Sequence, residues 1–560
     1  MNRLAPTDDT WFSRIKEPLR PASESSLDWS EETDILVVGC GGAGIAAALE
    51  ASEHKKKVIV IDRFFGGGAT AASGGIYYAG GGTSIQKEAE VEDSPEEMFN
   101  YLKIETDGVV KDSTLRKFCN DSASNLDWLI SHGVQFNSSV YRKKTSYPNK
   151  EYFLYHSDNS LVPNYMKLAK PAARGHKGFF PGRSLATGVG ITIFNPLRDS
   201  AIKNDVQIML QTEAVNLIVN RRGKVIGAEV LQIPQGTKDA QLHRKFSLRA
   251  QALQMYVRPL SNYYRNKAIK IENKVRITKY IKASKGVIIS SGGFIFNRNM
   301  VEHYAPKYKA GIPLGTTGDN GAGIRLGQSV GGAVNLMSRV TAWRFLNPPL
   351  AWGQGIVVNK EGSRYSNEMV YGATLGDEMC ENQEGKAILI LDSTLRKETW
   401  KQIGPGKVLP FQRNPAILSM LFNSKKSDTI AGLAKKCGMS PLKLYSSIEK
   451  YNIAAKGEKK DPFGKSPDDC RGIFKGPFYA MDVSVDSKFF PCAVLTLGGL
   501  IVDEETGNVQ NSSGENIKGL YAAGRSAVGI CSNIYVSGLS IGDCIFSGRR
   551  AGLNVSKEGN

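Results

Sequence analysis

No apolar run in the chain approaches the about 18 residues that a membrane span needs, and the longest are strand-length. Cys-x-x-Cys pairs are missing as well. The eight cysteines (Cys40, Cys119, Cys380, Cys437, Cys470, Cys492, Cys531 and Cys544) are scattered, which argues against a metal ribbon or disulfide framework and for a reducing compartment. Histidine is scarce: there are six, none beyond His303. A Ser-His-Asp hydrolase or histidine-rich metal centre in the C-terminal half is thereby excluded, and no metal site is expected. Residues 1–29 have neither the basic start nor the apolar middle of a secretory signal, so a cytoplasmic protein is expected. No nucleic-acid-binding module is recognisable.

What is present suits a globular α/β protein with more than one core. The chain has 560 residues, 41% of them hydrophobic, and 59 glycines for tight turns. The net charge of +18 is local. From Arg244 to Lys285 there are twelve Lys/Arg against one Glu, so this segment supplies +11 of the total. The same stretch carries Phe246, Leu248, Leu253, Met255, Tyr256, Val257, Leu260, Tyr263 and Tyr264. Apolar side chains beside a cationic fringe predict a peripheral membrane contact through residues 240–280, on the inner face of the membrane. A solvated hairpin or a subunit contact is the alternative.

From Thr33 the pattern runs strand (35–38), glycine-rich turn, alanine-rich helix (45–52) and strand (58–61), which predicts a βαβ unit. Helices are expected within 90–134, over 184–204, 428–437, 441–452 and 540–554. Strands are expected at 206–210, 225–231, 285–290, 499–503 and 519–523. Gly39-Cys40-Gly41-Gly42-Ala43-Gly44 has the G-x-G-x-x-G spacing in its proper place, after a strand and opening a helix. Gly39 allows the turn, Gly41 lets backbone N–H groups approach a pyrophosphate, and Gly44 lets helix and strand pack closely. The helix N-terminus favours the phosphate charge, and Asp62, ending the second strand, is placed for the ribose hydroxyls.

A second small-residue loop, Gly66-Gly-Gly-Ala-Thr-Ala-Ala-Ser-Gly-Gly75, follows Asp62, and Gly519-Leu-Tyr-Ala-Ala-Gly524 lies near the C-terminus. Ser291-Gly-Gly-Phe294, Gly318-Asp-Asn-Gly-Ala-Gly323, Gly355-Ile-Val-Val-Asn359, Arg364-Tyr-Ser-Asn-Glu368 and Gly498-Gly499 lie between them. Over nearly the whole chain these motifs resemble the flavoprotein superfamily of fumarate reductase, succinate dehydrogenase and 3-ketosteroid dehydrogenase. The resemblance implies a discontinuous Rossmann-like FAD-binding domain with an inserted α+β catalytic domain. The expected division is an arm at 1–31, FAD-binding parts at 32–312 (with a basic insertion at 236–284) and 487–560, and the catalytic domain at 313–486. It also implies that FAD is held by Gly39, Gly41, Gly42, Ala43, Gly44, Asp62, Arg63, Gly68, Ala69, Thr70, Ser73, Gly74 and Gly75. Ala214, Gly292, Asp319, Gly524, Ser540 and Ile541 complete that set. Gly68 stands where succinate dehydrogenases carry their flavin-linked histidine, so the FAD is expected to be non-covalent.

Within the superfamily, the positions of the fumarate reductases' two substrate arginines are Tyr535 and Gly372, and their histidine falls within Leu495-Thr496-Leu497. Dicarboxylates need fixed cations, which disfavours a dicarboxylate reductase. Tyr535-Val-Ser-Gly-Leu539 resembles the Tyr-x-Ser arrangement of the Δ4-(5α) 3-ketosteroid dehydrogenases, and the Tyr-Ala-Gly-Pro-Gly of the Δ1 enzymes is absent. Tyr371 matches a second active-site tyrosine of these enzymes. Ser146-Tyr-Pro148 and Tyr155-His-Ser-Asp158 resemble their steroid-side loop. The implied chemistry has Tyr535 and the Leu539 backbone N–H polarising a carbon-3 ketone, Ser537 taking the carbon-4 proton, and Tyr371 relaying it. The expected substrate is a 3-ketosteroid, with an external electron acceptor that the sequence does not identify. The Δ1 reaction, the reverse reduction and a non-catalytic flavin or lipid carrier are the alternatives.

Overall fold

The computed structural model describes residues 17–179, 189–255 and 257–558. Five strands are joined in parallel in the spatial order β7–β6–β1–β2–β3: β1 (Glu31–Val38), β2 (Val58–Asp62), β3 (Gln207–Leu210), β6 (Ile277–Ile289) and β7 (Asn516–Ala522). The hairpin of β4 (Thr212–Val219) and β5 (Val225–Gln232) joins antiparallel to the first half of β6, and strand Asn508–Gln510 edges β7. The residues 35–38 and 58–61 are all buried, because a parallel sheet is covered on both faces and its strands read as continuous apolar runs.

The covering helices are α1 (Gly42–Glu53) and, from the far end of the chain, α5 (Leu539–Lys557). They approach backbone to backbone. A Cβ on Gly548 or Gly552 would lie 2.4 Å from the Ala43 carbonyl oxygen or 2.3 Å from that of Ala47, so alanine and glycine are what this contact admits. The C-terminal return thus locks against the first βαβ unit, as expected for a discontinuous domain.

The strand expected at 285–290 begins at Ile277, because Ile277–Lys282 has β5 as a hydrogen-bonding partner. The basic stretch therefore reduces to two antiparallel helices, α2 (Lys238–Leu253) and α3 (Arg258–Val275). Strand β4 had no expectation of its own. Residues 184–188 of the helix expected over 184–204, residues 1–16 of the arm and Tyr256 lie outside the described residues, and that helix is seen over Ile191–Lys203. Between β6 and β7 a second antiparallel sheet pairs Ile356–Val358, Ile388–Leu391, Phe478–Asp482 and Ser424–Ser427, flanked by helices. A three-stranded sheet pairs Val340–Trp343 and Ile312–Pro313 with Ala493–Thr496 and leads back to the first. All eight cysteines are unpaired. Among the described residues no helix is long and apolar enough to cross a membrane.

Candidate active site

The glycines after β1 build an open cradle. Gly39 has φ +110°, and a Cβ there would sit 2.7 Å from the Ser290 carbonyl oxygen. A Cβ on Gly44 would strike the Gly39 carbonyl oxygen at 1.9 Å, whereas at Gly41 nothing lies within 4 Å. Gly44 therefore serves helix–strand packing, and Gly41 faces the cavity. The Gly42 N–H donates to Thr70 Oγ1 at 3.1 Å, which ties the cradle to the second small-residue loop. Asp62 accepts from the Cys40 and Phe64 N–H groups at 3.1 and 2.8 Å. Burial raises its carboxyl pKa, and these hydrogen bonds hold part of that shift back.

A cavity of about 1180 Å³ runs from this cradle between the two sheet systems. Of the nineteen residues expected to hold the cofactor, only Gly44 is absent from its wall. Two of the others spend their charge within the protein. Asp319 accepts from Arg525 Nη2 at 2.7 Å, Gly293 N at 3.2 Å and Thr316 N at 2.8 Å, bracing the Gly292 loop (φ +84°). Arg63 pairs with Glu213 and Glu272. Arg525, beside Gly524 on the cavity wall, was missed by the sequence reading, although it directly follows an expected cofactor residue. Its Nη1 is buried and has no hydrogen-bond partner among the described residues. An open glycine cradle, backbone N–H groups at a helix start and an arginine Nη1 left without a partner among the described residues fit a flavin dinucleotide. No histidine among the described residues lines the cavity.

The far end of the cavity is apolar and aromatic, lined by Trp343, Phe345, Phe411, Phe489, Phe490 and Leu495. Tyr371, Tyr535 and Ser537 open into it from two elements: Tyr371 caps the helix Gly372–Asn382, and the other two precede α5. Tyr535 stacks on Trp343 at 5.0 Å, and Tyr371 meets the Phe345 ring edge-on at 5.3 Å. The Tyr155 hydroxyl, buried behind them, donates to Ser537 Oγ at 3.0 Å. The Tyr371 phenol lies beside the same Ser537 hydroxyl. Burial raises the pKa of all three phenols, so each is a neutral hydrogen-bond donor at ordinary pH. Ser157 fixes the Ser537 backbone from both sides, accepting its N–H and donating to its carbonyl at 3.0 Å each.

Leu539 does not fill its expected role. Gly538 turns the chain at φ +90°, which directs the Leu539 N–H to the Val536 carbonyl at 3.1 Å, and the residue is fully buried outside the cavity wall. Its neighbour Ser540, in the first turn of α5, does line the cavity. Tyr155 was visible only as part of the Tyr155-His-Ser-Asp158 motif, since nothing local marks a tyrosine whose partner is almost four hundred residues away in sequence. Behind Tyr371, Asn159 accepts its backbone N–H at 2.5 Å and donates to Glu105 Oε1 at 2.9 Å. Burial pushes the Glu105 carboxyl up to about 7, against hydrogen bonds from Tyr101 and Asn159.

The basic hairpin is held by a buried ionic network. Glu272 binds Arg63 at 2.8 Å, Arg276 at 2.8 Å and His243 at 3.1 Å, and Arg276 also binds Glu213 at 2.5 Å. His243 lies parallel to the Phe64 ring, 6.1 Å away. Leu248 and Met255 line the cavity. The hairpin is therefore an integral wall of this site.

The fold and the cavity define a two-part FAD-binding flavoprotein. Residues 34–538 match the FAD binding domain family. The chain is 38% identical over 520 residues to a 3-oxo-5-alpha-steroid 4-dehydrogenase of Comamonas testosteroni, covering 91% of this chain and 96% of that one. It superposes with a TM-score of 0.80 and 28% identity on the crystal structure of the 3-ketosteroid-delta4-(5alpha)-dehydrogenase from Rhodococcus jostii RHA1 in complex with 4-androstene-3,17-dione, covering 97% and 100% of the two chains. The 3-ketosteroid delta1-dehydrogenase from Sterolibacterium denitrificans shares the fold, with a TM-score of 0.66 at 21% identity and coverage of 94% and 100%. The chain belongs to the FAD-dependent 3-ketosteroid dehydrogenase family.

Proposed function

We propose that the enzyme introduces a double bond between carbons 4 and 5 of a saturated 3-ketosteroid. The observation that carries this reading is the cluster of Tyr535, Ser537 and Tyr371 at the end of an aromatic slot. A flat apolar body with one ketone fits that slot, whereas the two arginines that fumarate reductases aim at a dicarboxylate are here Tyr535 and Gly372. Tyr535 donates to the carbon-3 ketone and stabilises enolate character, which acidifies carbon 4. The second donor is a first-turn N–H of α5 at Ser540, in place of Leu539. Ser537 Oγ takes the carbon-4 proton while its own proton passes to Tyr371, whose phenolic proton leaves in turn to solvent, and the Tyr155 hydroxyl bond holds Ser537 in place. Bound FAD supplies the acceptor for the hydride that leaves carbon 5.

The functional division follows the cavity. Residues 32–312 and 487–560 hold the cofactor and also bring Tyr155, Tyr535 and Ser537 to the substrate end, residues 313–486 supply the remaining substrate walls, and Asp319 acts as a brace for the cofactor loop. We place the protein in the cytoplasm with a peripheral contact at the inner membrane face, assisted by the outward cations of residues 240–280. Leu248, Val257, Leu260 and Tyr263 are exposed among those cations, which supports this contact. Arg276 is held in the buried network, so fewer than the full twelve charges face outward.

Product analysis with a saturated 5α-3-ketosteroid tests the regiochemistry. The expected product is the 4-ene-3-ketone. Conversion of a supplied 4-ene into the 1,4-diene would replace the assignment with the Δ1 reaction.

A further inference from the structure

The cavity opens beside α4 (Pro410–Phe422), and this helix has its apolar side out. Its inner face is supplied by Ala416, Ser419 and Met420. The residues at helical spacing on the other face are Phe411, Leu418, Leu421 and Phe422, which are 52, 43, 56 and 65% exposed. Phe489 continues the patch, its ring stacked 6.1 Å from Phe422. A soluble surface scatters single apolar side chains, whereas a contiguous set on one helix face marks a contact. The position adds a second point. Phe411, Leu418 and Phe489 also line the cavity, so the patch and the steroid slot are one continuous apolar surface.

The surroundings are cationic. Between Glu398, which pairs with Lys401 at 3.5 Å, and Asp428 the chain carries Lys401, Lys407, Arg413, Lys425 and Lys426 and no acid, and exposed Lys488 lines the cavity beside Phe489. Lys407 and Lys425 direct their ammonium groups to backbone carbonyls, which leaves the charge uncancelled. An exposed apolar stripe with a basic fringe is the pattern of a helix lying in a membrane interface.

We propose that α4 and Phe489 seat the enzyme on an anionic bilayer surface, so that an apolar steroid passes from lipid into the cavity without crossing water. The inference rests on the steroid reading above, and it assigns the main apolar seat of the membrane contact to α4, with the hairpin contributing chiefly long-range attraction and a secondary apolar contact.

The test uses the FAD-loaded full chain with vesicles of phosphatidylcholine alone or mixed three to one with phosphatidylglycerol. The wild type is expected to sediment with the mixed vesicles and to stay partly bound at high salt, because screening removes charge attraction and leaves apolar contact. Leu421→Ser/Phe422→Ser changes two residues that do not line the cavity. It is expected to lower vesicle partitioning at least about tenfold. Turnover on a water-soluble 3-ketosteroid is expected to stay unchanged, while turnover on steroid preloaded in vesicles falls with the partitioning. Phe422→Ser alone gives a smaller drop in the same direction, and flavin absorbance checks that both variants are folded. Arg244→Glu/Lys245→Glu in the hairpin is expected to weaken binding at low salt only.

Unchanged sedimentation of the double variant overturns the proposal. So does complete release of the wild type by salt, or a wild-type dimer that this variant turns into a monomer in light scattering, which would make the patch a contact with a second copy. Vesicle binding through α4 without flavin bleaching by any 3-ketosteroid would leave the docking face standing and remove the steroid reading.

Discussion

Tyr155→Phe separates a positioned serine from a merely buried one. The Tyr155 hydroxyl donates to Ser537 Oγ at 3.0 Å, and both residues are at least nine-tenths buried. Its only other hydrogen bond among the described residues is long, 3.5 Å to the Ser146 carbonyl, so the substitution removes one good bond and little else. A buried hydroxyl stripped of its partner costs about 1–3 kcal/mol. If that interaction holds Ser537 in the geometry that receives the carbon-4 proton, the cost falls on the reaction barrier. At 1.36 kcal/mol per decade it corresponds to a loss of roughly 5- to 150-fold in the rate of flavin reduction. The ring remains, so the packing and the steroid KM are expected to change little.

The assay is anaerobic stopped-flow bleaching of the flavin with a saturated 3-ketosteroid, on the wild type, Tyr155→Phe, Ser537→Ala and the double variant. Two groups acting as one unit give non-additive losses, so adding Tyr155→Phe to Ser537→Ala should cost almost nothing further. Bleaching by Tyr155→Phe within twofold of the wild type, or fully additive losses, would refute the reasoning.

Tyr535→Phe, assayed for turnover, is expected to lose roughly 10²–10³-fold while retaining FAD, the usual cost of removing one transition-state donor. Glu105→Gln tests the buried carboxyl behind Tyr371. The folded chain keeps this proton up to about pH 7, against an ordinary value of 4.5, so the group's stabilising effect is present below about 4.5 and is lost as pH rises through about 7. The glutamine variant should flatten that part of the stability–pH profile and gain up to about 3 kcal/mol on the wild type at pH 8 in denaturant titrations. Glu272→Ala leaves Arg63, Arg276 and His243 around a missing carboxylate, and a loss of about 3–5 kcal/mol is expected in the same titrations; a loss under 1 kcal/mol would mean that the network is not needed to hold the hairpin.

The first βαβ unit and its cofactor cradle were legible from the sequence, because their requirements are local. A run of Ile, Leu and Val buried on both faces, a glycine whose backbone must approach a phosphate, and an aspartate at the strand end are set within about thirty residues of chain. The family motifs likewise singled out Tyr371, Tyr535 and Ser537, which the fold brings to one cavity wall, since each sits in a short string with its own signature. What the tertiary structure decided are the pairings between distant segments. It joined Tyr155 to Ser537 and paired Arg525, beside Gly524, with Asp319 while leaving its Nη1 without a partner among the described residues. It turned the Leu539 N–H inward by the left-handed backbone at Gly538, where the sequence suggested only an available amide. The basic stretch shows the difference most plainly. Composition reveals its charge, but only the fold shows that Glu272, its single acid, gathers Arg63, Arg276 and His243 into the interior. Charge is a property of residues, whereas burial and partnership belong to the folded chain.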